Sequence, residues 1–251
     1  MKIFIAGINS VNPKNRYILE ECDYILESFY SIKEWEIPYI KKCKMFLLDS
    51  GAFSMFTKGH NLTAKDWDDY VTRYIEFINK YDIKYFFELD VDRILGIEKV
   101  EQIRKRIEKE TGKKCIPVWH KERGWKYFEK MCKEYDYVAI GGIAKNPNGK
   151  QIEKIFPYFI NYAHKNNCKI HGLGYTSAKG LRKNHFDTVD STSWLAGGQF
   201  GSIQIFDGRK ITSYKKPHNT RVKTKGEDGI KTQKLCLQEW IKYQKYADKH
   251  L

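Results

Sequence analysis

Acidic side chains follow several short apolar runs of this sequence, at the points where those runs end. One such aspartate has a structural explanation, because it can cap a following helix, and glycines after a strand commonly make a turn. Several carboxylates at one edge repel one another, and proteins usually retain that arrangement for function. The residues that close the runs are Asp49, Asp90, Asp92 and Asp190, joined by the pair Gly141 and Gly142.

The elements that must position these residues follow one pattern. Short apolar runs alternate with longer amphipathic segments up to about residue 195, which is typical of βα units around a parallel sheet. The segment Thr63–Tyr81 predicts a helix with Thr63 as its N-cap, and apolar residues three and four apart predict helices over Ile97–Ile107 and Ile152–Ala163. The predicted strands are Lys2–Ile8, Tyr24–Ser31, Met45–Asp49, Tyr85–Asp90, Cys115–Trp119, Tyr137–Ile140, Lys169–Leu173 and Thr188–Ser191.

Eight strands with seven crossovers favour an α/β fold of the (β/α)8 TIM-barrel type, with an open doubly wound sheet as the alternative. In such a barrel the C-terminal strand ends share one rim, so we expect the carboxylates to face one cavity. After Trp194 we predict a hairpin over Ser202–Ser213, a basic segment, and an amphipathic helix from about Gly229 onward. One domain is predicted over residues 1–251, with the barrel in about 1–200 and these additions in about 201–251.

Composition and charge indicate a folded protein with a polyanionic partner. Hydrophobic residues make up 41% and aromatic residues 15% of the 251 residues, too much for a disordered chain. The net charge is +14, and Arg209–Lys234 holds nine Lys and Arg against Glu227 and Asp228. Such clustering favours contacts with nucleic-acid phosphates over the alternative of a uniformly lysine-rich composition. The predicted backbone contacts are Lys215, Lys216, Arg221 and Lys223.

Several other classes of protein are not favoured. No stretch reaches the roughly 18 to 20 apolar residues of a membrane span, and the apolar run Met1–Ile8 is too short for a signal peptide. The six cysteines form no C-x-C or C-x-x-C pair, and no phosphate-binding glycine loop is present. We therefore expect a soluble cytoplasmic protein with reduced thiols, without a metal and without a cofactor.

Three segments, taken together and in this order, resemble the guanine transglycosylase superfamily. Leu47–Phe53 is similar to its D-S-G-G-F segment, with Ala52 for the second glycine, and Tyr137–Ile143 is similar to its A-I-G-G-L base-binding turn. Ile170–Gly174 resembles its L-M-G-V-G strand end. The D-x-F-D nucleophile motif is matched by Asp187–Asp190, which gives Asp190 the nucleophile's place and leaves Asp187 as the alternative. The resemblance covers roughly residues 45 to 195.

Within this superfamily the sequence is most similar to the 7-deazaguanine DNA transglycosylases. The C-x-C-x-x-C…H zinc site of the tRNA-guanine transglycosylases is absent, and Trp194-Leu195-Ala196 stands where the family has an arginine after the nucleophile. These departures favour DNA over tRNA as the polymer, with tRNA kept as the alternative. A non-catalytic nucleic-acid-binding barrel and an unrelated barrel hydrolase are competing hypotheses, because a fold does not by itself assign a function.

The resemblance implies a pentosyltransferase that replaces guanine in DNA by a free 7-deazaguanine base through a covalent aspartyl-glycosyl intermediate. It implies that Asp190 is the nucleophile. It also implies that Asp49 holds the base, protonates the leaving guanine and deprotonates the incoming base. Asp90, with Asp92 as substitute or support, would accept the paired N–H donors of the base, which the backbone at Gly141 and Gly142 would approach closely. The remaining predicted base contacts are Ser50, Phe53, Trp119, His120 and His171.

Overall fold

Seven short apolar segments form one parallel sheet in the computed structural model, which describes residues 1–57, 63–142, 153–197, 202–214 and 226–251. The strands are β1 (Lys2–Ala6), β2 (Tyr24–Ser28), β3 (Met45–Asp49), β4 (Val118–Trp119), β5 (Tyr137–Ile140), β6 (Lys169–Gly172) and β7 (Thr188–Ser191). Their hydrogen-bonded order is β3-β2-β1-β7-β6-β5-β4, and neighbouring strands are parallel throughout. The sheet curls, so the molecule has a barrel-like α/β fold.

The predicted strand Tyr85–Asp90 is reduced to two bridging residues. Phe86 pairs with Leu48 of β3, and Phe87 pairs with Ile116, just before β4. The Phe87 N–H donates to the Leu48 carbonyl at 2.9 Å, and the Ile116 N–H donates to the Phe86 carbonyl at 2.8 Å. The sheet therefore has seven strands with a bridging pair between its two edges, and it is not the full eight-stranded barrel that the sequence pattern predicts.

Helices cover the convex face of the sheet. They are α1 (Ile37–Lys42), α2 (Ala52–Thr57), α3 (Ala64–Lys80), α4 (Asp92–Leu95), α5 (Ile97–Thr111), α6 (Gly124–Glu134), α7 (Phe156–Lys165), α8 (Ala178–Lys183) and α9 (Glu227–His250). The predicted N-cap of α3 is confirmed, because the Thr63 hydroxyl accepts from the Asp66 N–H at 3.3 Å and the Asp66 carboxylate accepts from the Thr63 N–H at 2.7 Å.

Alternation along the strands separates two apolar cores. The inner core contains Phe4, Leu47 and Phe87 and draws only on strands and on the segments beside them, so it fills the concave interior. The outer core joins the intervening strand residues, such as Leu48 and Phe86, to the helices. Because successive side chains of a strand face opposite sides, the alternation fixes which strand-end residues face inward.

The C-terminal segment forms a hairpin and a helix that covers the beginnings of strands β1 and β2. Strands β8 (Ile203–Phe206) and β9 (Ile211–Tyr214) form the predicted antiparallel hairpin, whose turn is held by the Asp207 N–H donating to the Lys210 carbonyl at 3.1 Å. The buried Gln244 of α9 donates to the Ile3 and Tyr24 carbonyls, both at 2.8 Å. The C-terminal half of helix α9 therefore lies across the beginnings of β1 and β2. In its N-terminal half, Gln233 accepts from the Asn12 N–H at 2.8 Å, beyond the C-terminal end of β1.

Candidate active site

Four predicted site residues lie at or just after the C-terminal ends of strands, on the side of each strand that faces the interior. Asp49 is the last residue of β3 and follows the inner-core residue Leu47 by two positions. Asp190 is the third residue of β7, while His120 and Gly141 directly follow β4 and β5. Because the strands are parallel, these positions share one edge of the sheet, which is where enzymes of barrel type build their sites.

Asp49 lies in an environment that favours its protonated form. Burial raises the pKa of Asp49 to about 7, and the negative charges of Asp90 and Asp190 add to the rise against the opposing hydrogen bonds of the Gly51 N–H and of Ser28. The Gly51 N–H lies 3.1 Å from the Asp49 carboxylate. The three predicted carboxylates lie near enough for the charges of Asp90 and Asp190 to act on Asp49, which can hold a proton near neutral pH. We call these three residues the carboxylate cluster.

The turn after β3 is built around a glycine. Gly51 has a φ of +67°, and a Cβ there would lie 2.5 Å from the Tyr30 Cβ and still closer to the Ser28 Oγ, so only glycine fits. The Tyr70 hydroxyl donates to the Ser50 carbonyl at 2.5 Å and supports the turn from the outer side. Ser50, predicted as a base contact, is fully buried, because the alternation after Asp49 turns it away from the rim.

Asp90 and His120 form a pair beside the cluster. The His120 Nε2 lies 3.1 Å from the Asp90 Oδ2. A Cβ on Gly141 would lie 2.5 Å from the His120 Cε1, so the missing side chain makes room for the imidazole. Gly142 has a φ of +76°, in the left-handed region that favours glycine. The two glycines therefore allow the backbone, His120 and Asp90 to meet at one place.

Substituting Gly141 by alanine is expected to reduce activity at this site by at least about tenfold, since misplacing a positioned group by about 1 Å can cost on the order of 100-fold. The added methyl group must displace His120 from Asp90. Gly172 provides the control, because a Cβ there would lie 3.3 Å from its nearest neighbours, Phe186 and Tyr175. The expectation fails if G141A and G172A have equal activity.

A buried network of charges holds the segment that carries Asp90. The Glu88 carboxylate accepts from Arg104 at 2.9 Å, from Arg123 at 2.6 Å and from the Val118 N–H at 2.7 Å. Arg123 also donates to Asp92 at 2.9 Å. Burial would raise the pKa of Asp92, but the hydrogen bond and charge of Arg123 outweigh it and hold that pKa below its usual range. The Asp92 carboxylate is thus engaged by Arg123, whereas Asp90 faces His120.

Replacing Arg123 by methionine is expected to lower the free energy of unfolding by about 3 kcal/mol, the scale for removing one partner of a buried ion pair. Glu88 and Asp92 would be left buried near each other without their shared cation. Arg93 is the control, because its ion pair with Glu122 is mostly exposed and R93M should cost less than about 1 kcal/mol. Urea unfolding of the two variants measures the difference, and equal midpoints would contradict the role given to Arg123.

The structure separates the two candidate nucleophiles. Asp190 is 8% exposed, and its Oδ1 accepts from the Gly174 N–H at 2.7 Å and lies 3.1 Å from the His171 Nε2. Asp187 precedes β7, and its Oδ2 accepts from the Ile170 N–H at 2.8 Å and lies 3.0 Å from the His164 Nε2. Asp187 therefore lies at the beginning of the strands, and Asp190 lies at their C-terminal ends with Asp49.

Two predicted base contacts have other surroundings. Trp119 belongs to the outer core, where its Nε1 donates to the Gly124 carbonyl at 2.8 Å and its ring packs 4.5 Å from that of Phe159. His171 is fully buried in the barrel interior, 5.3 Å from the ring of Phe87. Trp119 therefore packs in the outer core and His171 lies in the interior beside Asp190, and a contact of either residue with a base stays a prediction.

The remaining predicted residues lie outside the described part of the structure. This holds for the side chain of Phe53, whose backbone belongs to α2, and for the predicted backbone contacts Lys215, Lys216, Arg221 and Lys223. Sequence reasoning did not assign Glu88, Arg104, Arg123, Tyr137 or Thr188 to the site. The signal for the last two was their spacing, since Thr188 and Tyr137 share the inward side of their strands with Asp190 and Gly141.

Comparisons with known proteins add no relative. Neither a scan against protein-family models nor a search of curated proteins finds a match to this chain. Over the described ranges, no group of three or more His, Cys, Asp and Glu side chains could hold a metal ion, and no helix is long and apolar enough to cross a membrane. All six cysteines are outside disulfides in the structure.

Proposed function

We propose that this site transfers a glycosyl group with retention of configuration. The observation that carries the proposal is the pairing of two unlike carboxyl groups at one rim. Asp49 has a pKa of about 7 and can hold a proton, whereas the Asp190 carboxylate is engaged by the Gly174 N–H and by His171. Two carboxyl groups in unlike environments can divide the roles of acid–base catalyst and nucleophile between them.

The particular reaction that we propose is exchange of guanine in DNA for a 7-deazaguanine base. Asp190 attacks the sugar C1′ as the C1′–N9 bond breaks, and Asp49 gives its proton to the leaving guanine. The Asp49 carboxylate then takes the N9 proton of the incoming base, whose N9 attacks C1′ and releases the Asp190 carboxylate. Two displacements at one carbon restore its configuration.

Recognition of the base is assigned to Asp90, because Asp92 is bound by Arg123. Guanine and 7-deazaguanine present N1–H and an exocyclic NH2 side by side, and one carboxylate can accept both. His120 orients Asp90 from one side, and the backbone after β5 at Gly141 and Gly142 can reach the base edge. The same arrangement serves the leaving and the incoming base, as an exchange reaction requires.

DNA is the proposed polymer, with tRNA as the alternative. The net charge of +14 and the cationic composition of Arg209–Lys234 suit a polyanion, although most of that segment lies outside the described residues. The target nucleotide must leave its stack to place C1′ between Asp190 and Asp49. We further propose that the chain forms a single domain and acts in the cytoplasm.

Labelled guanine, offered to the protein with duplex DNA, single-stranded DNA or tRNA in separate reactions, tests this proposal. We expect label in DNA, since exchange with guanine itself runs through the same covalent intermediate. Label in tRNA alone would establish the alternative substrate. Binding without label in any polymer would indicate a non-catalytic module, and release of base without incorporation would indicate a hydrolase.

A further inference from the structure

A line of buried hydrogen bonds runs through the barrel interior to Asp190. The Tyr137 hydroxyl lies 2.5 Å from the Thr188 Oγ1, which lies 2.7 Å from the His171 Nδ1. The opposite ring nitrogen, Nε2, lies 3.1 Å from the Asp190 Oδ1. Tyr137, Thr188 and His171 are each at most 5% exposed, so bulk water does not compete for these bonds.

Only one assignment of protons satisfies the whole line when Asp190 is a carboxylate and the His171 imidazole is neutral. A carboxylate accepts only, so the His171 Nε2 must carry a proton and donate to Oδ1. The Nδ1 of a neutral imidazole is then an acceptor, and the Thr188 hydroxyl must donate to it. Because the Thr188 hydroxyl proton is used in that bond, the Thr188 oxygen must accept from the Tyr137 hydroxyl. Burial raises the pKa of Tyr137, so the phenol keeps the proton that it has to donate.

Both donors to Asp190 act on the same oxygen. The Gly174 N–H and the His171 Nε2 meet Oδ1, and among the described residues no donor meets Oδ2. The aromatic rings of Phe4 and Phe87 pack against His171, with ring centroids 6.2 and 5.3 Å from that of the imidazole. The carboxylate is thereby fixed in rotation, with Oδ2 as the oxygen available for attack on C1′.

We propose that His171 is a positioning residue that aims the Asp190 Oδ2, and that Thr188 and Tyr137 hold His171 in the Nε2–H tautomer. The inference rests on the proposed function, because it assigns the nucleophilic atom of that reaction. Packing alone would not require a histidine at this place, because the surrounding residues Phe4 and Phe87 are apolar and an apolar side chain of similar volume would fill the interior. The matched pair of variants follows from this difference.

H171M keeps the volume but removes the donor, whereas H171Q can keep an N–H near the position of Nε2. We expect kcat of H171M to fall about 100-fold, the scale for one oriented hydrogen-bond donor, with KM changed less than about threefold. H171Q should recover at least about a tenth of the wild-type kcat. T188V should lose activity as well, and T188S, which keeps the hydroxyl, should resemble wild type.

Thermal unfolding of each variant separates an effect on the orientation of Asp190 from an effect on stability. If the role of His171 were only structural, kcat would follow the midpoint of unfolding. The inference is overturned if H171M keeps full kcat, or if H171Q is as inactive as H171M at equal stability. Nitrogen-15 NMR gives a second readout that needs no turnover: the His171 signals, identified by their loss in H171Q, should show a protonated Nε2. An unprotonated Nε2 in an active enzyme overturns this inference alone, whereas a wild-type protein that exchanges no base overturns the proposed function.

Discussion

Exchange of guanine is expected to fall by about 10⁴-fold or more when Asp190 is replaced by asparagine, the scale for loss of an enzyme nucleophile. The amide keeps the shape of the carboxylate and can still accept from the Gly174 N–H, so the fold should be retained. It cannot form the ester with C1′ that the double displacement requires. Rates of label incorporation, with binding of the same DNA measured in parallel, check the prediction.

Asp187→Asn is the matched control for this experiment. Asp187 differs from Asp190 by three positions and belongs to the same sequence motif, but it bonds to Ile170 and His164 at the beginning of the strands. We expect D187N to keep exchange within about threefold of wild type. If D187N loses as much activity as D190N, or if D190N is active, the assignment of Asp190 as the nucleophile is wrong.

The second large effect is expected at Asp49. Exchange by the wild-type protein should decline as the pH rises through about 7, because Asp49 must carry a proton to give to the leaving guanine and its pKa is about 7. D49N should lose about 10² to 10⁴-fold, the usual contribution of a general acid, and the decline near pH 7 should disappear from its remaining activity. A wild-type rate that is constant from pH 6 to pH 8.5 would contradict this role.

The same shift in pKa has a signed consequence for stability. The pKa of Asp49 rises from an ordinary 3.8 to about 7 on folding, so the folded state holds the proton more tightly than the unfolded state. The stabilisation is complete below about pH 4 and is lost as the pH rises through about 7. D49N lacks this ionisation, so the difference between its melting temperature and that of wild type should increase in favour of D49N from pH 5 to pH 8.

Glu36 provides the control for that measurement. Burial, together with the charge of Glu27, raises the pKa of Glu36 to about 8. Glu36 lies just before α1, and the leading causes of its shift include no charge of the carboxylate cluster. E36Q should therefore also gain stability relative to wild type as the pH rises, while keeping its exchange activity. If D49N and E36Q both lose activity, the loss in D49N does not report on proton transfer.

The order of strands and helices was predictable because it depends on local patterns. Met45–Asp49, Tyr137–Ile140 and Thr188–Ser191 coincide with β3, β5 and β7, and Thr63 caps α3 as its residue type suggests. The segment Tyr85–Asp90 was less predictable, because only Phe86 and Phe87 reach bridging partners, and those partners, Leu48 and Ile116, are far away in the chain. Apolar content alone does not show where pairing ends.

The inward and outward sides of the strands were harder to read. Both faces of a parallel sheet are buried, so Val118-Trp119 and Ile170-His171 do not show by hydrophobicity which residue faces the interior. Trp119 and His171 were assigned to the base pocket because they lie near the ends of predicted strands, and that position does not show which side they face. The pairing of Glu88 with Arg104 and Arg123 joins residues 16 and 35 positions apart, and no local spacing predicts it. Asp187 and Asp190 likewise separate only when the ends of β7 are known.

The most direct measurement is mass spectrometry of the covalent intermediate. The protein is mixed with DNA in the absence of added base, denatured rapidly, digested with nuclease and protease, and searched for a peptide that carries a deoxyribose through an ester. We predict the sugar on Asp190 in wild type, with no such peptide in D190N. A sugar on Asp187 or Asp49, or label incorporation by the wild type with no covalent sugar at any time point, would contradict the account.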